Sequence, residues 1–152
     1  MPERTLETPV GRLLLRADGV GLTEIAFGAR EIRADADATL MRAERQLREY
    51  FAGMRRAFDL PLHPSGTPFQ TRVWAELRKI PYGETITYGE LARRIGNPGA
   101  CRAVGMANHR NPLAIVVPCH RVIGANGALT GYAGGLEIKK MLLKLEEKHV
   151  EI

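Results

Sequence analysis

A cysteine does chemistry only when something helps it shed its proton, because the thiolate is the nucleophile and a free thiol is mostly protonated at neutral pH. Pro118-Cys119-His120-Arg121-Val122 offers that help in one short run: His120 is a base beside the sulfur, and Arg121 adds positive charge. Glycines 124, 127, 131, 134 and 135 follow, and they let a backbone bend tightly and approach a ligand closely. A carboxylate that orients the histidine would complete a Cys-His-acid set. Glu146 lies beside the apolar stripe of the last helix, Ile138, Met141, Leu142 and Leu145, whereas Glu147 faces water. From spacing alone Glu146 reads first as a surface residue at a helix terminus. A Cys after an apolar run is usually inert core, and that is the default for Cys101 as well.

The elements that must position these groups are legible in part. Ala114-Ile115-Val116-Val117 is apolar and β-branched, which predicts a buried, extended run delivering Cys119. Upstream, Thr67-Pro68-Phe69-Gln70 predicts a capped helix with Phe69, Val73, Leu77 and Ile80 on its apolar face, closed by Pro81-Tyr82-Gly83. Thr87-Tyr88-Gly89-Glu90 is a second capping box, with Leu91 and Ile95 inward and Gly96 as the stop. Asn97-Pro98 can cap and start the next helix, which runs to about Asn108. Two short helices around a Gly-Asn-Pro-Gly corner fit a helix-turn-helix or an ordinary helical hairpin about equally. Composition tips the balance, because Ala100, Ala103, Gly105 and Ala107 keep the second helix slim while Arg102 projects from it.

The first third reads as a hairpin of Leu13–Arg16 and Leu22–Phe27 around Asp18-Gly19. A helix through Leu40, Ala43, Leu47, Tyr50 and Phe51 then ends near Gly53, Ala57–Leu62 reads as a further strand, and a Pro/Gly linker follows. The predicted fold class is α+β: a small N-terminal sheet-and-helix domain over residues 1–62, and a mainly helical, winged-helix-like domain over 63–152 containing the helix-turn-helix.

A length of 152 residues suffices for a core without staples, and a net charge of +5 with a pI near 9.6 favours a polyanionic partner. No apolar run is long enough for a bilayer, and Met1-Pro2-Glu3-Arg4 lacks a signal-peptide stretch, so no membrane and an intracellular, cytoplasmic location are expected. In a reducing compartment two cysteines are not expected to pair. With four scattered histidines they show no zinc spacing, so no metal is expected.

Pro118-Cys119-His120-Arg121-Val122 resembles the active-site signature of the O6-alkylguanine-DNA alkyltransferases. Arg102-Ala103-Val104-Gly105, Asn111-Pro112 and Gly131-Tyr132-Ala133-Gly134-Gly135-Leu136 match in the family's order, over roughly Thr67 to Glu146. The resemblance implies repair by direct reversal, with the alkyl group of O6-alkylguanine passing irreversibly to Cys119 after base flipping. His120 would take the thiol proton through a water, with Glu146 fixing the imidazole. Tyr88 would hydrogen-bond the extruded guanine and protonate it as it leaves, and Asn111 would hold the turn before the reactive run. The Val122 carbonyl and the Ala133 N–H would read the base edge, with Tyr132 shaping the pocket. Arg102 would fill the stack, while Ala100, Ala103 and Gly105 let the helix approach the minor groove of double-stranded DNA. The resemblance implies a monomer acting once, without cofactor; it leaves O4-alkylthymine and alkyl-group range open.

Ala133 stands where many relatives carry a hydroxyl, which a backbone donor tolerates and a side-chain donor would not. Non-catalytic lesion binders of this fold lack the motif cysteine, which is present here. A transcription factor would leave the Cys119 run unexplained, and a cysteine hydrolase would leave Arg102 and the basic charge without purpose.

Overall fold

The computed structural model describes residues 1–129, 131–132 and 134–150, which form two compact units. The first holds Met1–Ser65 together with Pro112–Val116; the second holds residues 66–111 and those from 117 onward.

The first unit is a three-stranded antiparallel sheet, β1 (Glu3–Thr8), β2 (Gly11–Ala17) and β3 (Leu22–Phe27), under helix α1 (Ala38–Phe51). Alternation along β2 buries Leu13, Leu15 and Ala17, the period-two pattern of a strand with one wet face. The expected β2–β3 hairpin is present, with Asp18 accepting from the Val20 and Gly21 N–H groups in its turn. Asp37 caps α1, which buries Leu40, Ala43, Leu47 and Tyr50. Strand β1 was not expected. Its sequence, ERTLET, alternates weakly, and it is a strand because β2 offers it an edge. Residues 57–62 are not a strand: only Leu62 bridges Leu22, while both backbone groups of Asp59 are held by the buried Gln46 amide.

Pro112–Val116 departs further from expectation. Leu113 makes an isolated parallel bridge to Ile25, after which the chain turns instead of running extended. Ile115 sits at φ 72°, a left-handed conformation costly for a β-branched residue, although its side chain is buried as expected.

The second unit contains α2 (Pro68–Leu77), β4 (Ile86–Thr87), α3 (Tyr88–Arg94), α4 (Cys101–His109), a 3-10 turn (Cys119–Arg121), β5 (Val122–Ile123) and α5 (Leu136–Val150). Thr67 and Gln70 form the reciprocal capping box of α2, and Trp74 anchors this helix to α4 by donating from Nε1 to the Ala107 carbonyl at 2.9 Å. Thr87 caps α3 as expected, but the Glu90 carboxylate pairs with Arg93 and Arg94. Helix α4 starts three residues later than Asn97-Pro98 suggested. Those residues make a turn closed by Ala100 N–H to Asn97 C=O, and Ala100 becomes an N-cap without a side-chain cap.

A two-residue parallel pairing, Ile86 with Val122 and Thr87 with Ile123, decides the site's layout. It places the start of α3 beside the strand that leaves the Cys119 turn. Among the described residues no helix is long and apolar enough to cross a membrane.

Candidate active site

Cys119 opens a single 3-10 turn, and its N–H is tied to the Val117 carbonyl at 2.8 Å. The sulfur is buried, at 6 % exposure. Asn111, just past α4, donates from Nδ2 both to the Val117 carbonyl at 2.8 Å and to Cys119 Sγ at 3.1 Å. Asn108 donates to the Cys119 carbonyl at 3.4 Å. Burial pushes the thiol upward in pKa; hydrogen bonds with Asn111 and Tyr132 and the charge of Lys139 work against it. Burial pushes the Tyr132 phenol well above its usual range, so it stays a neutral donor beside the sulfur.

His120 is fully buried, and its Nε2 lies 2.6 Å from Glu146 Oε2. A carboxylate accepts, so this contact assigns the proton to Nε2 and leaves Nδ1 with the lone pair. Burial lowers the imidazole's pKa despite the carboxylate, so the ring is a neutral base at rest.

Glu146 is 1 % exposed. It accepts from Arg121 Nε at 2.8 Å and Nη2 at 3.1 Å, and from the Gly83 N–H at 3.3 Å. Burial alone would raise this carboxyl, but the hydrogen bonds and charges of His120 and Arg121 outweigh it and bring it down to about 2. The expectation of a surface glutamate is corrected: the inward line of α5 is Lys139, Leu142 and Glu146, while Met141, placed in the apolar stripe, is 43 % exposed. Arg121 is also corrected. It does not lend charge to the thiol; it clamps Glu146, gives Nη1 to the Ile80 carbonyl at 2.7 Å, and lies across the Tyr82 ring.

Tyr88 opens α3 next to β4, and its ring faces Gly105 on α4, where a Cβ would stand 3.9 Å from it. That is ordinary van der Waals contact, so the ring packs against α4 without requiring glycine at 105. Arg102 and Ala103 are exposed on the outer face of α4 with Met106, and Ala100 is half-buried at its cap. Val122 is buried, and its carbonyl accepts from Lys139 Nζ at 2.6 Å. Ala133 lies outside the described residues. Cys101 is exposed, whereas Cys119 is buried.

The structure thus brings Cys119, Asn111, His120, Glu146, Tyr132 and Val122 together and leaves Arg102 and Ala103 on a separate outer face. Two participants were not read from sequence, Asn108 and Lys139. Lys139 had a signal, since it falls three residues before Leu142 and seven before Glu146 on one helical line.

Residues 68–148 match the family described as 6-O-methylguanine DNA methyltransferase, DNA binding domain, and residues 1–64 match its ribonuclease-like domain. A methylated-DNA--protein-cysteine methyltransferase of Methanosarcina acetivorans is 56 % identical over 147 residues, 92 % of this chain and 94 % of its own. The constitutive enzyme of that name from Bacillus subtilis is 49 % identical, covering 93 % of each chain. The crystal structure of Mycobacterium tuberculosis OGT in complex with DNA aligns at a TM-score of 0.90 with 49 % identity, over 98 % of this chain and 94 % of that one. With both units matched and about half the residues identical over nearly the whole length, the chain belongs to the 6-O-methylguanine DNA methyltransferase family.

Proposed function

We propose that this protein repairs alkylated DNA by direct reversal, moving the alkyl group from O6 of a guanine irreversibly onto its own Cys119. The observation that carries the reading is the chain of contacts from Asn111 to the Cys119 sulfur and from His120 to Glu146, around a buried thiol. His120 Nδ1 takes the thiol proton through a water, and Glu146 holds the ring for that task and stabilises the imidazolium. The sulfur attacks the alkyl carbon in line, and Tyr88 donates a proton toward the departing guanine. The Val122 carbonyl and the Ala133 N–H read the base edge beside Tyr132. The product is a thioether, so each molecule acts once and no cofactor takes part.

The target oxygen cannot be reached inside a duplex, so the base leaves the stack at a cost of a few kcal/mol. Arg102, exposed and without an ion pair among the described residues, fills the place left behind. Ala100, Ala103 and Gly105 let α4 approach the minor groove, where sequence-independent binding suits a search for lesions. The protein works as a monomer inside the cell, with the N-terminal residues to about 62 supporting a DNA-binding and transfer region over 63–152.

Mixing the protein with duplex containing O6-methylguanine will add one methyl mass to the peptide carrying Cys119, in a one-to-one yield. Repeated turnover, or label on Cys101, contradicts the reading. Arg102→Ala will slow repair of duplex about tenfold or more while reaction with the free modified base changes little. Equal loss on both substrates removes the role assigned to Arg102.

A further inference from the structure

The inner side of α4 carries a buried polar atom with nothing to pair with. Asn108 is 2 % exposed, and its Nδ2 donates to the Cys119 carbonyl at 3.4 Å. A carbonyl only accepts, so this contact assigns the amide nitrogen to the Cys119 side and leaves Oδ1 turned away from it. Among the described residues that oxygen has no hydrogen-bond partner. An unmet buried acceptor is costly, and in a native protein it calls for a donor from elsewhere.

The surroundings of Oδ1 belong to the proposed base pocket. Gly105, one turn earlier on the same side of α4, faces the Tyr88 ring, and Asn111, just past the helix, reaches Cys119 Sγ at 3.1 Å. Along α4 the Asn108 amide thus comes between the phenol proposed to protonate guanine and the sulfur. The Cys119 carbonyl also accepts from the Val122 N–H, so both its lone pairs are engaged and Asn108 and Val122 flank one atom. The Val122 carbonyl accepts from Lys139 Nζ at 2.6 Å and keeps a second lone pair. Two acceptors are therefore available side by side. O6-alkylation removes the hydrogen from guanine N1, so the N–H donors left on the base are the two of its 2-amino group.

We propose that Asn108 is a specificity-determining residue for the base: its Oδ1 accepts one hydrogen of the 2-amino group while the Val122 carbonyl accepts the other. This rests on the site taking O6-alkylguanine. Two donors then meet two acceptors, and no N–H of the base is buried unpaired. An O6-alkylated purine without the amine would leave both oxygens unmet, so the site favours guanine lesions over the hypoxanthine equivalents.

The test is single-turnover methyl transfer from two duplexes, one with O6-methylguanine and one with O6-methylhypoxanthine, which lacks only the amine. Wild type should react faster with the guanine lesion. In Asn108→Leu and Asn108→Ala that preference should shrink on the order of tenfold, the share of one hydrogen bond. A loss common to both substrates reports the hold on the Cys119 carbonyl, so the ratio is the readout. A shrinkage below about threefold, as expected if Oδ1 meets only water, overturns the proposal. Should the variants not fold, Cys119→Ser supplies a second measurement, the NMR signal of the carbon-labelled Asn108 side-chain carbonyl. That signal should differ between complexes with the two duplexes, and identical positions overturn the proposal equally. Absence of transfer from O6-methylguanine to Cys119 in wild type would instead sink the underlying reading.

Discussion

Cys119→Ser will hold duplex DNA as tightly as wild type and repair none of it, with transfer down by at least about a thousandfold. Serine retains the position and can still accept from Asn111, but its hydroxyl does not ionise under conditions where a supported thiol does. The residues proposed to grip DNA, Arg102 and Ala103, lie on the outer face of α4, away from the buried turn that carries residue 119. Binding and chemistry should therefore separate cleanly. Mass spectrometry of the protein after exposure to alkylated duplex, alongside a mobility-shift titration, measures both. Methyl transfer by the serine variant, or loss of its hold on DNA, would contradict the assignment.

Removing the carboxylate of Glu146 should damage both stability and rate. Glu146→Ala leaves Arg121 buried without its counter-charge and His120 without its orienting acceptor, a change of about 3–5 kcal/mol in unfolding free energy. Transfer in the folded fraction should slow about a hundredfold, since the imidazole is no longer held in the tautomer that accepts a proton. The same carboxylate makes stability depend on pH. Its folded-state pKa is about 2 against an ordinary 4.5, so the unfolded chain binds this proton more readily. The stabilisation, about 3 kcal/mol, is fully present above roughly pH 4.5 and drains as pH falls toward 2. Denaturant titrations across that window should show the slope in wild type and lose it in Glu146→Gln, which preserves shape without charge. Parallel pH dependences would show that the carboxyl is not ionised in the folded protein.

Local signals carried the readings that held. The β2–β3 hairpin, α1, the Thr67–Gln70 cap and the Gly96 stop each depend on residues a few positions apart, and each was legible. The Cys119 run was legible because its chemistry is contiguous. Glu146 was underread because its partners, His120 and Arg121, come from about 25 residues upstream, and no helical period reports a contact of that range. Helix α5 was rotated in the reading for a related reason. A hydrophobic stripe takes Met141 inward and Lys139 outward, yet Lys139 is buried and its ammonium donates to the Val122 carbonyl inside, an acceptor that no helical period reports. Ala114–Val117 failed because β-branching argues for burial and extension together, whereas only the burial holds; Leu113 pairs with Ile25 and the chain then bends at Ile115.

That bend has a bearing on how this chain can be dissected. After Asn111 the backbone leaves the unit that carries Cys119, spends Pro112–Val116 in the other, and comes back at Val117 immediately before Pro118-Cys119. Within that stitch Ile25 N–H is bonded to the Pro112 carbonyl at 2.8 Å, the Ala114 N–H returns a bond to Ile25 at 3.3 Å, and Leu113 is wholly enclosed. A fragment begun at Gly66 would forfeit both bonds and wet Leu113 and Ile115, roughly 1.5–3 kcal/mol for each side chain. The two parts are sewn, not strung: a chimera that trades one half between relatives must carry the matching thread in the other, or the loop that leads into Cys119 comes loose.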